Sequence, residues 1–251
     1  GPSTPGIMPV HVNGRVCDMQ PIEEIAARHG LAIYEDAAQA VGARYKGKVA
    51  ASFSKWGAFS FYPSKTLGCF GDAGALATTD ADIAATVRAM RNHGAGADKR
   101  IPADVSIWGT NSRLDNLHAA ILNFKLAEYP AAIDRRRAIA ARYHEAFGEI
   151  EGLRLPPPPT EGGDYFDIFQ NYEVRAAGRR DALRDHLAER KIGTIVQWGG
   201  LGIHQFRGLG FTQNLPRTDA FFDDSLLLPM NHILSEAQVG AVIDGVRSFF
   251  A

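Results

Sequence analysis

The chain has 251 residues, 45% of them hydrophobic, which is enough for one large domain or two modest ones with a core. Its 27 basic and 28 acidic residues leave a net charge of -1 and form no basic stripe, so nucleic acid and anionic membranes are poor candidates for partners. No apolar run reaches the roughly 20 residues of a membrane span. We therefore expect a cytoplasmic protein with Cys17 and Cys69 as reduced thiols.

The first half of the chain alternates short apolar runs with helical periodicity, which is typical of an α/β fold. Strands are predicted at positions 7–12, 31–34, 58–62 and 73–78. Helices are predicted at 19–29, after the cap residue Asp80, from Leu114 to Phe124, and again beyond Pro130, which we expect to break the pattern. Tyr45-Lys46-Gly47-Lys48 predicts a hairpin turn and not a phosphate-binding loop, because Val49 stands where such a loop needs Ser or Thr.

Four consecutive prolines at 156–159 predict a stiff linker, and the pattern changes beyond it. The later elements are predicted as a strand at 171–175, a helix at 180–191, a strand at 194–197 and a last helix that begins with the capping box Ser235-x-x-Gln238. We expect a large domain at 1–129 and a smaller α+β domain, with a connecting helix, at 130–251. The charged run 134–137 is expected on a solvated helix face.

Lys65 is the first candidate for a catalytic residue. It comes just past the mostly apolar run 58–62, which is an unusual place for a solvated surface charge, and Asp36 follows the strand predicted at 31–34. Pyridoxal phosphate (PLP) requires a lysine that binds its aldehyde and a carboxylate that pairs with its pyridinium nitrogen. A surface lysine in a Pro-Ser-Lys turn and a helix-capping aspartate are the alternatives that these two segments leave open.

Ser60 is a candidate for binding a phosphate oxygen, because it lies in the run that leads to Lys65. A lone serine is more often structural. Open α/β sheets bind ligands at the carboxyl ends of their strands, where Asp36 falls. The eight histidines show no metal-ligand spacing, so no metal is expected.

Six stretches of the chain match one known family in their order and spacing. They are Met8-Pro9-Val10-His11-Val12-Asn13-Gly14, Glu35-Asp36-Ala37-Ala38-Gln39-Ala40, Phe59-Ser60-Phe61-Tyr62-Pro63-Ser64-Lys65, Gly71-Asp72-Ala73-Gly74-Ala75, Arg91-Asn92-His93-Gly94 and Gly109-Thr110-Asn111-Ser112-Arg113. Through them the chain resembles the nucleotide-sugar aminotransferases of the DegT/StrS type, PLP-dependent enzymes of the aspartate-aminotransferase fold, fold type I. The resemblance is looser after Pro159.

The resemblance implies the C-terminal part of a large mixed-sheet domain, followed by a smaller α+β domain. It also implies that the first third of a typical relative would precede Gly1. Lys65 would carry PLP, Asp36 would pair with the ring nitrogen, Gln39 would lie near the ring, and Ser60 would contact the phosphate.

Three further residues are implied by the same resemblance. Asn111 would reach the phosphate bound by a neighbouring subunit, so a homodimer would share its active sites. Arg113 would lie near a substrate carboxylate or sugar phosphate, a role that suits its fixed fork of donors. His204 would contact the substrate, although an ordinary loop residue is an equal alternative. Val41 and the segment 196–200 depart from the family pattern, which leaves the sugar open.

The function implied is transfer of an amino group, from L-glutamate that leaves as 2-oxoglutarate, to a keto carbon of a nucleotide-linked deoxysugar. One alternative is a PLP-dependent sugar dehydratase, but relatives of that type carry histidine at the position of Lys65. Another is a truncated, non-catalytic paralogue that dimerises with an intact enzyme or regulates it. Its one support is the expected missing first third.

Overall fold

The computed structural model describes residues 3–95, 105 and 107–251. The chain divides into two compact units, one of Gly1–Ala132 with Glu161–Ile168 and one of Ile133–Thr160 with Phe169–Ala251. The first unit therefore differs from the predicted domain 1–129, because the segment 161–168 returns to it. In that segment Tyr165 and Phe166 pair with the strand Arg44–Tyr45, a long-range contact that no sequence pattern indicates.

The elements formed by the described residues are numbered in chain order. The strands are β1 (Gly6–Ile7), β2 (Ala32–Ile33), β3 (Glu35–Asp36), β4 (Arg44–Tyr45), β5 (Lys48–Val49), β6 (Gly57–Ser60), β7 (Gly74–Ala77), β8 (Leu153–Arg154), β9 (Tyr165–Phe166), β10 (Tyr172–Ala176) and β11 (Ser225–Leu228). The helices are α1 (Met19–His29), α2 (Ala81–Met90), α3 (Asn116–Phe147), α4 (Arg180–Glu189), α5 (Pro216–Asp224) and α6 (Glu236–Phe250). No helix among them is long and apolar enough to cross a membrane.

A mixed sheet organises the first unit. Strand β1 lies parallel to β2, and a parallel bridge between Val10 and Asp36 extends that pairing to the end of β3. Strand β3 is parallel to β6, with Asp36 opposite Ala58, and β7 is antiparallel to β6. Because β3 and β6 run in the same direction, their carboxyl ends meet at one edge of the sheet.

The predicted ends of the first two helices are confirmed. Gly30 closes α1 with a left-handed φ of 62°, and the Asp80 carboxylate caps α2 by accepting from the amides of Asp82 and Ile83 at 2.9 and 3.1 Å. The hairpin of β4 and β5 is confirmed as well. Its turn residues Lys46 and Gly47 have φ values of 48° and 80°, as a tight primed turn requires.

The expected break at Pro130 is wrong, because α3 continues through it from Asn116 to Phe147. A proline inside a helix removes one hydrogen bond to the preceding turn. Pro130 is exposed, so water can solvate the carbonyl that loses its partner, and the helix continues.

The second unit packs around one apolar core. Strands β8, β10 and β11 form an antiparallel sheet, and α3, α4 and α6 cover it with buried side chains. The core includes Ile139, Tyr143, Phe147, Leu183, Leu187, Val239 and Val246. The capping box of Ser235 and Gln238 is confirmed at the start of α6.

Two predictions for this unit are wrong. The strand expected at 194–197 is a single bridge between Ile195 and Leu227, after which Trp198 and Gly199 turn the chain with φ values of 50° and 68°. Arg136 and Arg137, expected in solvent, are only 5% and 6% exposed. Both guanidinium groups donate to backbone carbonyls, and such donation allows an arginine to lie in an interior.

Candidate active site

The edge where β3 and β6 end carries two of the predicted site residues on the same face of the sheet. Asp36 lies opposite Ala58, and Ser60 comes two residues later on β6, so their side chains point to the same side. Both polar groups of the Asp36 backbone are bonded to the segment beside it: its N–H donates to Pro9 at 3.0 Å, and its carbonyl accepts from His11 at 2.9 Å. The Asp36 carboxylate is thus fixed at a strand end, where α/β sheets bind ligands.

Lys65 follows this edge after a tight turn. Its amide donates to the carbonyl of Tyr62 at 2.8 Å, with Pro63 and Ser64 at the two central positions. Burial lowers the pKa of the Lys65 amine, and the nearby Asp36 carboxylate acts in the opposite direction. The Pro-Ser-Lys turn that was the alternative to a catalytic site therefore exists. The lysine on it is nevertheless partly buried beside an aspartate.

The segment after Lys65 is fastened to the body of the first unit. The hydroxyls of Thr66 and Tyr129 lie 2.8 Å apart, and Tyr129 donates to the carbonyl of Val41, also at 2.8 Å. Cys69 donates its amide to the carbonyl of Phe61 at 2.8 Å. These bonds fix both sides of the turn that carries the lysine.

Gln39 is held by the loop that follows β1. Its side-chain oxygen accepts from the amide of Asn13 at 2.7 Å, and Asn13 has a left-handed φ of 60°. Three residues earlier, the Asp36 carboxylate accepts from the amide of Ala38 at 3.0 Å in a turn, not at the start of a helix. The helix-cap alternative for Asp36 is therefore wrong.

The donor set fits PLP. Among the residues that the structure describes, none accepts a hydrogen bond from the Lys65 amine and none donates to the second carboxylate oxygen of Asp36. The Ser60 hydroxyl accepts from the amide of Tyr62 at 3.3 Å and keeps its own hydrogen available. A lysine, a carboxylate and a hydroxyl with free capacity at one sheet edge match the aldehyde, ring nitrogen and phosphate of that cofactor. The described side chains include no cluster that could hold a metal.

Asn111 and Arg113 form a separate, exposed group. Arg113 donates to the side-chain oxygen of Asn111 at 3.0 Å and to that of Asn92 at 3.2 Å, and Asn92 and Asn111 also form a backbone bridge. In the described part of the chain, this group shares no hydrogen bond or ion pair with Lys65. The two predicted residues thus lie together, with the Arg113 fork facing amide oxygens.

His204 belongs to the second unit. Its ring is buried, and Nε2 lies 2.8 Å from the Asp219 carboxylate, while Nδ1 is buried without a partner among the described residues. An aspartate on one ring nitrogen fixes the orientation of an imidazole. The other nitrogen is itself buried, so in this conformation neither ring nitrogen is open to a ligand.

Comparison with known proteins identifies the family. The family described as "DegT/DnrJ/EryC1/StrS aminotransferase family" matches residues 1–247. The chain belongs to this family. Aminotransferases of the family depend on PLP.

Individual relatives agree with the assignment. The chain is 40% identical over 252 residues to a dTDP-3-amino-3,4,6-trideoxy-alpha-D-glucose transaminase of Streptomyces venezuelae, covering 99% of this chain and 64% of that protein. It is 36% identical over 251 residues to a "pleiotropic regulatory protein" of Geobacillus stearothermophilus, covering 98% of this chain and 66% of that protein. This chain therefore spans about two thirds of the length of these relatives.

A solved structure shares the fold. The crystal structure of Streptomyces venezuelae DesV in complex with a ketimine intermediate superposes with a TM-score of 0.91 at 40% identity, covering 99% of this chain and 66% of that chain. The mixed α/β architecture of this aminotransferase-family chain is thereby confirmed.

Two buried residues of this family member were missed in the sequence. His11 and Glu35 are both fully buried, and Nε2 of His11 lies 3.0 Å from Oε2 of Glu35. A histidine between Val10 and Val12 in an apolar run is a signal of burial, but nothing in the sequence indicates its partner 24 residues away. The pair lies directly behind Asp36, since consecutive strand residues point to opposite faces.

Proposed function

We propose that this chain contributes to a PLP-dependent aminotransferase that moves an amino group from L-glutamate to a keto carbon of a nucleotide-linked deoxysugar. The observation that carries the proposal is the edge of Asp36, Ser60 and Lys65, with a lysine pKa lowered by burial and no hydrogen-bond acceptor on its amine among the described residues. The 40% identity to a sugar transaminase supports the substrate class.

Lys65 has two tasks in this proposal. Only the neutral amine can bind an aldehyde, and partial burial raises the fraction of neutral amine at a given pH. Once a donor has displaced it, the same amine is positioned to take and return a proton at the substrate carbon. When bound, PLP supplies a ring that accepts electrons from that carbon and carries the amino group between the two substrates.

Asp36, Ser60 and Gln39 hold the cofactor. The free carboxylate oxygen of Asp36 pairs with the ring nitrogen and keeps it protonated, and the Ser60 hydroxyl donates to the phosphate. Gln39 is oriented through its bond with Asn13, which engages its oxygen and leaves the amide hydrogens to interact with the cofactor. Each of these side chains has a backbone or loop contact that fixes it before a ligand arrives.

We extend the proposal to substrate binding and assembly. Arg113 binds a carboxylate or phosphate of the substrate, His204 contacts the sugar, and Asn111 reaches the phosphate held by a second copy of the chain. Apolar side chains at the start of α3 support a homodimer, because Leu117 and Phe124 are each 78% exposed. Replacing both with Glu should convert a dimer to a monomer in sedimentation velocity.

The test uses the protein expressed from its complete reading frame. We expect visible absorbance with PLP, formation of 2-oxoglutarate from L-glutamate, and an amino sugar when a dTDP-linked 3-ketosugar is added. Release of ammonia with deoxygenation would instead indicate the dehydratase. A protein that gains no absorbance with PLP contradicts the proposal.

A regulatory role is a second candidate, favoured by the name of the Geobacillus stearothermophilus relative. It predicts a protein that binds PLP or a sugar nucleotide without turnover and changes the activity of a separate enzyme. Measuring amino-sugar formation by the purified protein alone separates the two candidates, since only the aminotransferase forms product unaided.

A further inference from the structure

The Glu35 carboxylate lies on the face of β3 opposite to Asp36 and has no free capacity. Oε1 accepts from the amide of Phe53 at 2.7 Å and from the hydroxyl of Ser54 at 2.8 Å. Oε2 accepts from the amide of Ala51 at 2.7 Å and from Nε2 of His11 at 3.0 Å. Four donors therefore converge on one buried carboxylate, which ties β3 to the turn that leads into β6.

His11 fastens the other side of the same strand. Its amide donates to the Asp36 carbonyl at 2.9 Å, and its Nδ1 faces the amide of Cys17 at 3.2 Å. Burial lowers the pKa of His11, but hydrogen bonds to Cys17 and Glu35 outweigh burial and raise the pKa to about 9. The backbone N–H of Cys17 nevertheless points at Nδ1 and needs a lone pair there. We therefore assign a neutral ring with its single proton on Nε2, against the direction of that shift.

Behind Asp36, strand β6 and the turn at Ala51 are packed so closely that the backbone there has little room to move. A side-chain carbon on Gly57 would lie 2.3 Å from the Cβ of Ala51 and 3.4 Å from that of Glu35, so β6 and the turn are in direct contact there. Ala51 itself has a left-handed φ of 69°. The backbone on this face is held by fixed hydrogen bonds and by packing, and both act on the peptide that precedes Asp36.

We propose that His11 and Glu35 are positioning residues for Asp36, and that their hydrogen bond sets where the Asp36 carboxylate stands relative to the ring nitrogen of the cofactor. The inference rests on the proposed function, since it assumes that Asp36 faces that nitrogen. Glu35 and Asp36 are neighbours on β3, so a rotation of the peptide between them moves both side chains. His11 touches both residues, one through its ring and the other through its backbone.

Stability alone is a weak reason for such a pair. A buried ionic or strongly polar pair usually contributes no more than an apolar pair of the same volume, but it fixes one arrangement of the groups around it. The arrangement fixed here is the end of the strand that carries Asp36. Loss of the supporting contacts around a bound metal ion typically weakens its binding by about 10-fold to 100-fold, and we take the lower end of that range as the expectation for the cofactor.

The test compares two substitutions of one residue. His11→Gln keeps a donor that can reach Glu35 but loses the acceptor for Cys17, and His11→Asn keeps the acceptor but is too short to reach Glu35. The readouts are the dissociation constant for PLP and the pH midpoint of the visible absorbance of the bound cofactor. Asp36→Asn gives the reference for losing the carboxylate itself, and melting of the cofactor-free proteins reports general damage.

We expect His11→Asn to bind PLP about 10-fold more weakly than His11→Gln and to shift the absorbance midpoint in the direction that Asp36→Asn does. Equal dissociation constants and unchanged midpoints in both variants overturn the inference while wild-type binding stands. A wild-type protein that does not bind PLP overturns the proposed function instead. If His11→Asn fails to fold, Ser54→Ala removes one donor to Glu35 at an exterior turn, and unchanged midpoints there overturn the inference equally.

Discussion

The carboxylates on the two faces of β3 differ in how many hydrogen bonds they accept. Asp36 is half-buried and accepts one amide hydrogen bond, and one of its oxygens has no donor among the described residues. Glu35, the residue before it, is fully buried and accepts from four donors. A neighbouring pair of acidic residues thus divides between a group with free capacity and a group with none.

This difference separates the polar groups that stabilise this unit from those that are available to bind a ligand. Satisfied polar groups lower the free energy of the folded chain, and unsatisfied ones at an open edge are available to a ligand. The same division extends along the sheet, since Ser60 points to the Asp36 side and Gly57 to the Glu35 side. Substitutions on the Asp36 side should therefore lower activity with little loss of stability, whereas substitutions on the Glu35 side should lower stability together with cofactor binding.

The largest effect is expected on the open side. Lys65→Ala should lower the transamination rate by about 10³-fold or more, because both attachment of the cofactor and proton transfer depend on this amine. Unfolding in urea should change little, since no described residue accepts a hydrogen bond from the amine. Lys55→Ala, an exposed lysine just before β6, is the matched control. Equal rates for the two variants would contradict the role of Lys65.

The next effect compares the two carboxylates directly. Glu35→Gln places an amide NH₂ where two donors point, so it should cost about 3 kcal/mol of the free energy of unfolding. Asp36→Asn keeps the oxygen that accepts from Ala38 and should cost less than about 1 kcal/mol, while it lowers activity. Chemical denaturation of the two cofactor-free variants measures both. Equal losses of stability would show that the faces do not differ.

Glu35 should also control the acid side of the stability curve. Burial raises its pKa, but hydrogen bonds from His11, Ser54, Phe53 and Ala51 outweigh burial and hold the pKa below the ordinary 4.5. A pKa that is lower in the folded state means that the ionised carboxylate stabilises the fold above the unfolded value, and that this stability is lost as the pH falls through the folded pKa. Glu35→Gln should flatten this acid dependence. An unchanged slope in urea titrations between pH 3 and 6 would contradict it.

Several elements were accessible from sequence because they depend on local chemistry. Gly30 ends its helix through its backbone, and Asp80 begins its helix through its side chain. The apolar runs 31–34 and 58–62 locate the strands but not their ends, since β3 reaches Asp36 and β6 stops at Ser60. The partial burial of Lys65 was predictable because a charge directly after an apolar run is unusual.

The failures have one physical cause, which is that long-range partners decide them. Arg136 was expected in solvent, but distant carbonyls accept its hydrogen bonds. Glu35 looks like a surface charge until the turn at 51–54 folds over it. The break predicted at Pro130 was wrong for a different reason, which is that an exposed helix face tolerates the lost hydrogen bond. The contact of Arg113 with Asn92 was likewise not predictable, because Asn92 lies 21 residues away.

The smallest effect is expected on folding stability, from the protonation of the Lys65 amine. Burial lowers the pKa of this amine from its ordinary 10.5, so the unfolded chain holds the proton more tightly than the folded one. The folded state therefore carries a penalty at neutral pH that disappears as the pH rises from the folded pKa toward the unfolded value, and stability should increase over that interval. Lys65→Met removes the charge and should be slightly more stable than the wild type at pH 7, with the difference shrinking toward pH 10. Asp36 opposes the shift, so Asp36→Asn should enlarge the difference. A stability gap between Lys65→Met and wild type that stays constant from pH 7 to pH 10 would show that the amine is as well solvated as a surface lysine, and the open side of the sheet edge would then lose its distinction from ordinary surface.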